Sequence, residues 1–205
     1  MEVQLNKVGK RFKYDWIFKN ISLELKSPLQ YAVQGPNGSG KSTLLKILSG
    51  HLTPSKGKIN FLLDGKKVDP NLVYKQVAFA GPYIDLIETF TLKEIIEFHQ
   101  QFKKLLPGFD STSLIERMSL KKAKDKQLKF YSSGMKQRVK LALAICSQSK
   151  MLLLDEPTTN LDTEGIRWYR QLIEDYGKDR LLIVASNAAV DFDFCQEKIS
   201  ILDYK

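Results

Sequence analysis

The chain has 205 residues, 32 of them Lys or Arg and 23 Asp or Glu, a formal net charge of +9. With 43% hydrophobic and 27% charged residues it has the makings of a full core, which argues against disorder and against a stapled miniprotein. Cys146 and Cys195 lie far apart, with His51 and His99 remote from both, so neither a disulfide framework nor a zinc site is expected. No apolar run approaches the ~18–20 residues that span a bilayer, and MEVQLNKVGK lacks the apolar stretch of a signal peptide, so a cytoplasmic protein is expected. The charge itself leaves nucleic acid, an anionic membrane surface and nucleotide phosphates as candidate partners.

In chain order, Val3 and Leu5, then Ile21, Leu23 and Leu25, alternate with polar residues, the period of half-buried strands. Residues 29–33 read as a strand, and 44–48 as an apolar helix. Residues 59–63 followed by Asp64-Gly65 predict an antiparallel hairpin. Thr91 and Glu94 form a capping box. Behind it, Leu92, Ile95, Ile96, His99 and Phe102 share one helical face, and Pro107-Gly108 ends that helix. Residues 114–118 predict a second short helix. A third is predicted over 135–147, with Val139, Ala142, Leu143 and Cys146 inward. Phe90, Phe98, Phe102 and Phe109 are assigned to the core of this helical part. Lys121, Lys122, Lys124, Lys126 and Lys129 are assigned to solvated surface. Residues 151–154 and 181–185 are continuous branched-aliphatic runs, the mark of buried parallel strands, and Ile199, Ile201 and Leu202 suggest one last strand. The expected fold is one α/β domain over 1–205. It has a mixed sheet core, an N-terminal antiparallel β part and a helical subdomain inserted at about 83–148.

Gly35-Pro36-Asn37-Gly38-Ser39-Gly40-Lys41-Ser42-Thr43 fits G-x-x-x-x-G-K-[ST] between a strand and a helix. A triphosphate carries several negative charges and many acceptor oxygens. Glycines let backbone N–H groups turn toward it, and the helix N-terminus adds a favourable dipole. Lys41 is expected to reach the β- and γ-phosphates, and Ser42 to offer its hydroxyl to Mg²⁺. Four apolar residues then carry Asp155 and Glu156 to the C-terminal end of a buried strand, where open α/β sheets bind ligands. Asp155 suits Mg²⁺ and Glu156 suits a general base acting on water.

With these two motifs, Tyr131-Ser132-Ser133-Gly134-Met135 and Asn160-Leu161-Asp162 complete the order of motifs in the ABC-type ATPases, which the whole chain resembles. The first resembles the family signature, with Tyr131, Ser133 and Met135 where Leu, Gly and Gln are usual. The second is similar to the family's D-loop. The resemblance implies two such domains closing head-to-tail around two ATP molecules, with a second copy or a homologous ATPase chain as partner. Ser132, Ser133 and Gly134 would then meet the ATP held by the partner's phosphate loop. It also implies an aromatic residue stacked on adenine, here Phe12, with Tyr14 and Trp16 as alternatives.

Two positions depart from the family. Pro82 stands where a Gln is usual, and Asp85 is the candidate substitute. Ser186 and Asn187 stand where a switch histidine is usual, and neither can carry positive charge. Slow, Mg-dependent hydrolysis of ATP is therefore expected. The implied role is the ATPase subunit of an ABC transporter. It would sit on the cytoplasmic face of the membrane, powering a separate transmembrane subunit that docks around Pro82, Tyr83, Ile84, Asp85, Leu86 and Ile87. No nucleic acid is expected. The alternative is a regulatory or soluble ABC-type nucleotide-binding protein outside transport.

Overall fold

Alternating apolar residues write the first sheet of this computed structural model, which describes residues 1–205. Strands β1 (Glu2–Phe12) and β2 (Asp15–Lys26) pair antiparallel, with Val3 opposite Leu25 and Leu5 opposite Leu23. β4 (Lys56–Leu63) lies on the other flank of β1. The Asp64-Gly65 turn, with φ of +51° and +75°, folds β5 (Lys66–Lys67) back onto it. Two successive positive φ values suit the twist of a tight hairpin.

The second sheet has the order β6-β7-β8-β3-β9. Its members are β3 (Gln30–Gln34), β6 (Val77–Ala80), β7 (Met151–Asp155), β8 (Leu181–Ala185) and β9 (Glu197–Ser200). β7 pairs parallel with β8, and β3 with both β8 and β9. Every residue of β7 and β8 is buried, which is why these strands read as unbroken apolar runs. Helix α1 (Lys41–Leu48) buries Leu44, Leu45, Ile47 and Leu48 in one cluster with Val3, Phe18 and Ile21 of the first sheet and Leu153 and Ile183 of the second. These elements form a compact unit of Met1–Phe79, Ser149–Glu156 and Lys178–Lys205.

A second compact unit comprises Ala80–Gln148 and Pro157–Gly177, so it takes in a helix beyond the expected 83–148 segment. It contains α2 (Leu92–Gln100), α3 (Ser111–Arg117), α4 (Ser133–Ile145) and α5 (Thr163–Tyr176). Each starts on a side-chain cap, from Thr91, Asp110, Ser132 and Asp162 in turn. The capping box at Thr91 and Glu94 is formed, and Val139, Ala142, Leu143 and Cys146 are buried as expected. The basic run at 121–129 is surface, with Lys121 paired to Glu116 and Lys129 over the Phe130 ring.

Three expectations fail here. α2 ends at Gln100, before Pro107, so Phe102 lies beyond the helix and is 76% exposed. Phe90, Phe98 and Phe102 form an edge-to-face ladder whose outer rings face solvent, and Phe109 packs on Tyr176 instead. The set is therefore not a subdomain core. The last strand stops at Ser200, and Ile201–Tyr204 is a 3₁₀ turn with Ile201 buried and Leu202 exposed. Two adjacent apolar residues break the alternation that a strand edge would keep.

His99 shows how the helical unit depends on pH. Its Nε2 lies 2.7 Å from Ser147 Oγ, whose own proton goes to the Leu143 carbonyl, so Nε2 carries the ring proton. Burial, then the charge of Lys103, pushes the imidazole down to about 4. An unfolded His takes its proton near 6.5. The penalty is therefore absent above that value and grows as pH falls toward 4, because the unfolded state binds the proton first. Urea midpoints at about pH 7 and about pH 4.5 should show the wild type losing about 2 kcal/mol more than His99→Gln.

Candidate functional site

Strand order makes the site. β7, β8 and β3 are neighbours, so the segments leaving their C-terminal ends meet although they are distant in sequence. From β3 comes the glycine loop, from β7 Asp155 and Glu156, and from β8 Ser186 and Asn187.

Gly35, Gly38 and Gly40 all have φ in the left-handed half. Gly40 is the most constrained, with φ of +105° and space so tight that a Cβ would sit 2.5 Å from Ile17 Cγ2. It is also the N-cap of α1 and supplies no side-chain acceptor, so the first-turn N–H groups of α1 are left without a side-chain cap. The Ser39 N–H donates to the Pro36 carbonyl, closing the loop. Lys205 Nζ ties it from outside, donating to the carbonyls of Ser39 at 2.7 Å and Ile17 at 2.8 Å.

Lys41 is only 5% exposed. Its ammonium donates to the Gly35 carbonyl at 2.8 Å and stands 3.2 Å from Glu156 Oε1. The other Glu156 oxygen accepts from Ser186 Oγ at 2.8 Å. Glu156 has φ of +46°, and its N–H donates to Ala185 at the end of β8. Backbone strain thus aims this carboxylate back across the strand ends. Asn187 Nδ2 reaches Asn37 Oδ1 at 3.3 Å, and Thr43 is half-buried in the first turn of α1.

Asp155 is 1% exposed, and neither carboxylate oxygen has a hydrogen-bond partner. Burial raises its carboxyl above the ordinary Asp value; the Ser42 hydroxyl opposes this, the Glu156 charge adds to it, and Lys41 and Lys46 act against it. Ser39 Oγ is the other buried polar side-chain atom without a partner. Two orphaned carboxylate oxygens beside a hydroxyl are hard donors, the set that Mg²⁺ takes. The residues present therefore fit that ion.

The remaining candidate residues belong to the helical unit or lie out on the first sheet. Ser132 caps α4, accepting from the Met135 N–H at 3.2 Å. Ser133 is exposed on the first turn. At Gly134 a Cβ would stand 2.8 Å from the Asn160 carbonyl, so the absence of a side chain lets the loop before α5 pack against the start of α4. Asp162 caps α5, accepting from Gly165 N–H at 2.7 Å, with Arg138 3.8 Å away. Tyr131 is buried, and its hydroxyl donates to the Ala123 carbonyl at 2.8 Å. Pro82 and Asp85 are exposed, and the Asp85 charge acts on Lys140. Phe12 is 48% exposed with Lys10 Nζ 5.1 Å from its ring centroid; Tyr14 is almost fully exposed, and Trp16 is flanked by Arg11 and Lys19.

Two residues escaped the sequence reading. Asp191 is 1% exposed and touches Ser186 Oγ. Its only signal in the sequence is a place between Val190 and Phe192. Lys205 belongs to no motif.

A family model described as "ABC transporter" matches residues 18–159. YcbN of Bacillus subtilis, an uncharacterized ABC transporter ATP-binding protein, is 29% identical over 98% of this chain and 66% of its own length. EcfA1 of Thermotoga maritima, an energy-coupling factor transporter ATP-binding protein, is 33% identical over 85% of this chain and 68% of its own. ATP-binding cassette sub-family A member 17 of Mus musculus is 30% identical over 90% of this chain, which spans only 11% of that protein. Less than two thirds of the length of YcbN and of the mouse protein is thus matched. Among solved structures, a dimeric bacterial ABC transporter cassette has a TM-score of 0.81 at 23% identity, covering 97% of this chain and 93% of its own. The same cassette in a post-hydrolysis state, bound to ADP and Pi, has a TM-score of 0.82 at 24% identity, with the same coverage. These likenesses show the fold.

The loop geometry yields a direct test. Gly40→Ala forces a Cβ onto Ile17 and a strained φ, and should lower stability by about 1–3 kcal/mol in urea denaturation. Gly38→Ala meets no atom within 4 Å and should lose less, by the cost of its φ alone.

Proposed function

The chain belongs to the ABC transporter family of ATP-binding proteins, and on that premise we propose that it is an ATP-hydrolysing subunit, powering a separate membrane subunit by ATP-driven closure of a head-to-tail pair. One observation carries this reading. A buried ammonium, an uncapped helix N-terminus and an orphaned carboxylate converge on one loop. The uncapped N-terminus and the orphaned carboxylate are costly without a ligand, the ammonium is held meanwhile by Gly35 and Glu156, and a metal-bound triphosphate would suit all three.

In this reading Lys41 exchanges Glu156 for the β- and γ-phosphates. Backbone N–H groups of the loop and of the first turn of α1, those of Pro36 (which has none) and Ser39 (given to the Pro36 carbonyl) excepted, hold the phosphate oxygens, and Phe12 stacks on adenine. Ser42 and Asp155 would hold Mg²⁺, which would supply charge neutralisation to the phosphates. Glu156, freed from Lys41 but still held by Ser186, takes the proton of the attacking water. Ser132, Ser133 and the Gly134 N–H serve the ATP of the partner chain, with the dipole of α4 behind them, and Asp162 holds the neighbouring loop. Ser186 gives a hydrogen bond where a histidine would give charge, and Pro82 offers no polar side chain. Turnover of the isolated protein is therefore at or below about 1 s⁻¹.

Exposed apolar residues support a membrane partner. Tyr83, Ile84 and Ile87 are all solvent-facing, as are Phe98, Phe102 and Phe130. Main-chain bonds from Leu128 to Phe90 and from Lys129 to Glu88 join the two segments that bear them. No helix of the structure is long and apolar enough to cross a membrane; the membrane subunit of this reading is a separate polypeptide. The proposed location is the cytoplasmic face.

Glu156→Gln tests the reading. With Mg-ATP it should form a dimer stable to gel filtration, while the wild type returns to monomer as it slowly releases phosphate. Equal trapping of both forms would remove Glu156 from the chemistry, and rapid turnover of the wild type alone would contradict the assigned cost of Pro82 and Ser186.

A further inference from the structure

Lys205 lies outside every motif, yet its side chain ends at the phosphate loop. Its Nζ donates to two main-chain carbonyls, Ser39 of the loop at 2.7 Å and Ile17 of β2 at 2.8 Å. The turn that carries it is fitted to the same place. A Cβ on Gly35 would stand 2.6 Å from Ile201 Cγ2, so the 3₁₀ turn Ile201–Tyr204 packs directly on the start of the loop. A Cβ on Gly40 would stand 2.5 Å from Ile17 Cγ2, so β2 borders the end of the loop. Lys205 joins β2 and the loop through their carbonyls. Holding a long lysine in one rotamer costs side-chain freedom, which two charge-assisted bonds to fixed acceptors offset.

The consequence is orientation. A trans peptide is planar, with its C=O and N–H pointing in opposite directions. The one cis bond of the chain is Ser27-Pro28, so the peptide from Ser39 to Gly40 is trans. With the Ser39 carbonyl turned to Lys205, the Gly40 N–H is turned away from it. Gly40 has φ of +105° and is the N-cap of α1, and a glycine lets that peptide rotate more freely than any other residue would. The Gly35 carbonyl is held in the same manner by Lys41, but Pro36 follows it and has no N–H to aim. We propose that Lys205 is a positioning residue of the nucleotide site: by fixing the Ser39 carbonyl it aims the Gly40 N–H at the phosphate chain. It acts through the loop and not by contact with phosphate, and the proposal rests on the nucleotide reading of that loop.

Calorimetric titration with Mg-ADP, which does not turn over, tests it in wild type, Lys205→Met and Lys205→Cys. The wild type should bind, and Lys205→Met should bind about tenfold more weakly, the worth of one well-aimed N–H on an anion. That loss should be alike at about 0.05 M and about 0.5 M KCl, because the ammonium works by contact with carbonyls and not by distant attraction of phosphate. Lys205→Cys should show the same loss. Alkylation with 2-bromoethylamine restores an ammonium at the same number of bonds from the backbone and should bring affinity back to within about twofold of wild type. Capping the same thiol with methyl methanethiosulfonate adds no donor and should restore nothing. Cys146 and Cys195 are buried, which directs both reagents to position 205. The Gly40 amide resonance should move on addition of Mg-ADP in the wild type and move less in Lys205→Met. Equal affinity of wild type and Lys205→Met overturns the proposal, as does equal movement of the Gly40 resonance. So does a loss that vanishes in high salt, one that aminoethylation leaves in place, or one that the donor-free cap repairs. A wild type that does not bind Mg-ADP overturns the nucleotide reading and this proposal with it, whereas binding that Lys205→Met leaves intact overturns the proposal alone.

Discussion

A nearly buried ammonium governs the architecture around it. Lys41 at 5% exposure is tolerable only because the Gly35 carbonyl and Glu156 accept from it. That requirement reaches outward. Gly35 and Gly40 must take left-handed φ so that the loop wraps the side chain. Glu156 must adopt φ of +46° so that its carboxylate turns back from β7. β8 must lie between β7 and β3, so that Ser186 can hold the second Glu156 oxygen. In the proposed function the same ammonium would pass from one anion to another, from the Glu156 carboxylate to a phosphate of the nucleotide, and breaking that ion pair would couple occupancy to the freedom of Glu156.

The helical unit is governed by packing instead of charge. Gly134 lets the Asn160 carbonyl approach the first turn of α4, and Gln137 donates to the Pro157 carbonyl at 2.8 Å. The start of α4 and the loop at 157–160 are thus held together. Tyr131 shows how an unusual residue fits. Its ring fills a buried position and its hydroxyl is satisfied by the Ala123 carbonyl, so the substitution keeps the packing without stranding a polar group. Ser132, Gly134 and Asp162 therefore have structural duties as caps and close contacts alongside those proposed toward ATP.

Much of this was legible in sequence because the informative patterns are local. The glycine loop, the run into Asp155 and Glu156, the capping box at Thr91 and the Asp64-Gly65 turn each fit in a short window. What failed depended on ends and partners. The ring of Phe102 shares the helical spacing of Ile95 and His99, but α2 stops at Gln100, and periodicity cannot report where a helix stops. Ile201 and Leu202 look like strand residues, yet a 3₁₀ turn carries them. Asp191 was invisible because its place is set by a hydrogen bond to Ser186, whose own hydroxyl the fold sets against Glu156. The net charge of +9 proved the least specific signal: Lys41 has an inward duty, while the basic run at 121–129 is surface.

The claim that this site is built for a metal-bound nucleotide is tested most directly by thermal denaturation of wild type and Asp155→Asn, with and without Mg-ATP. The two oxygens of Asp155 are unsatisfied in the ligand-free protein. Replacing a buried carboxylate by a neutral amide should leave the ligand-free Tm unchanged or higher. The wild type should gain stability on Mg-ATP by mass action, and the variant should lose the Mg-dependent part of that gain. A variant that is destabilised without ligand, or that keeps the full Mg-dependent shift, would contradict the account.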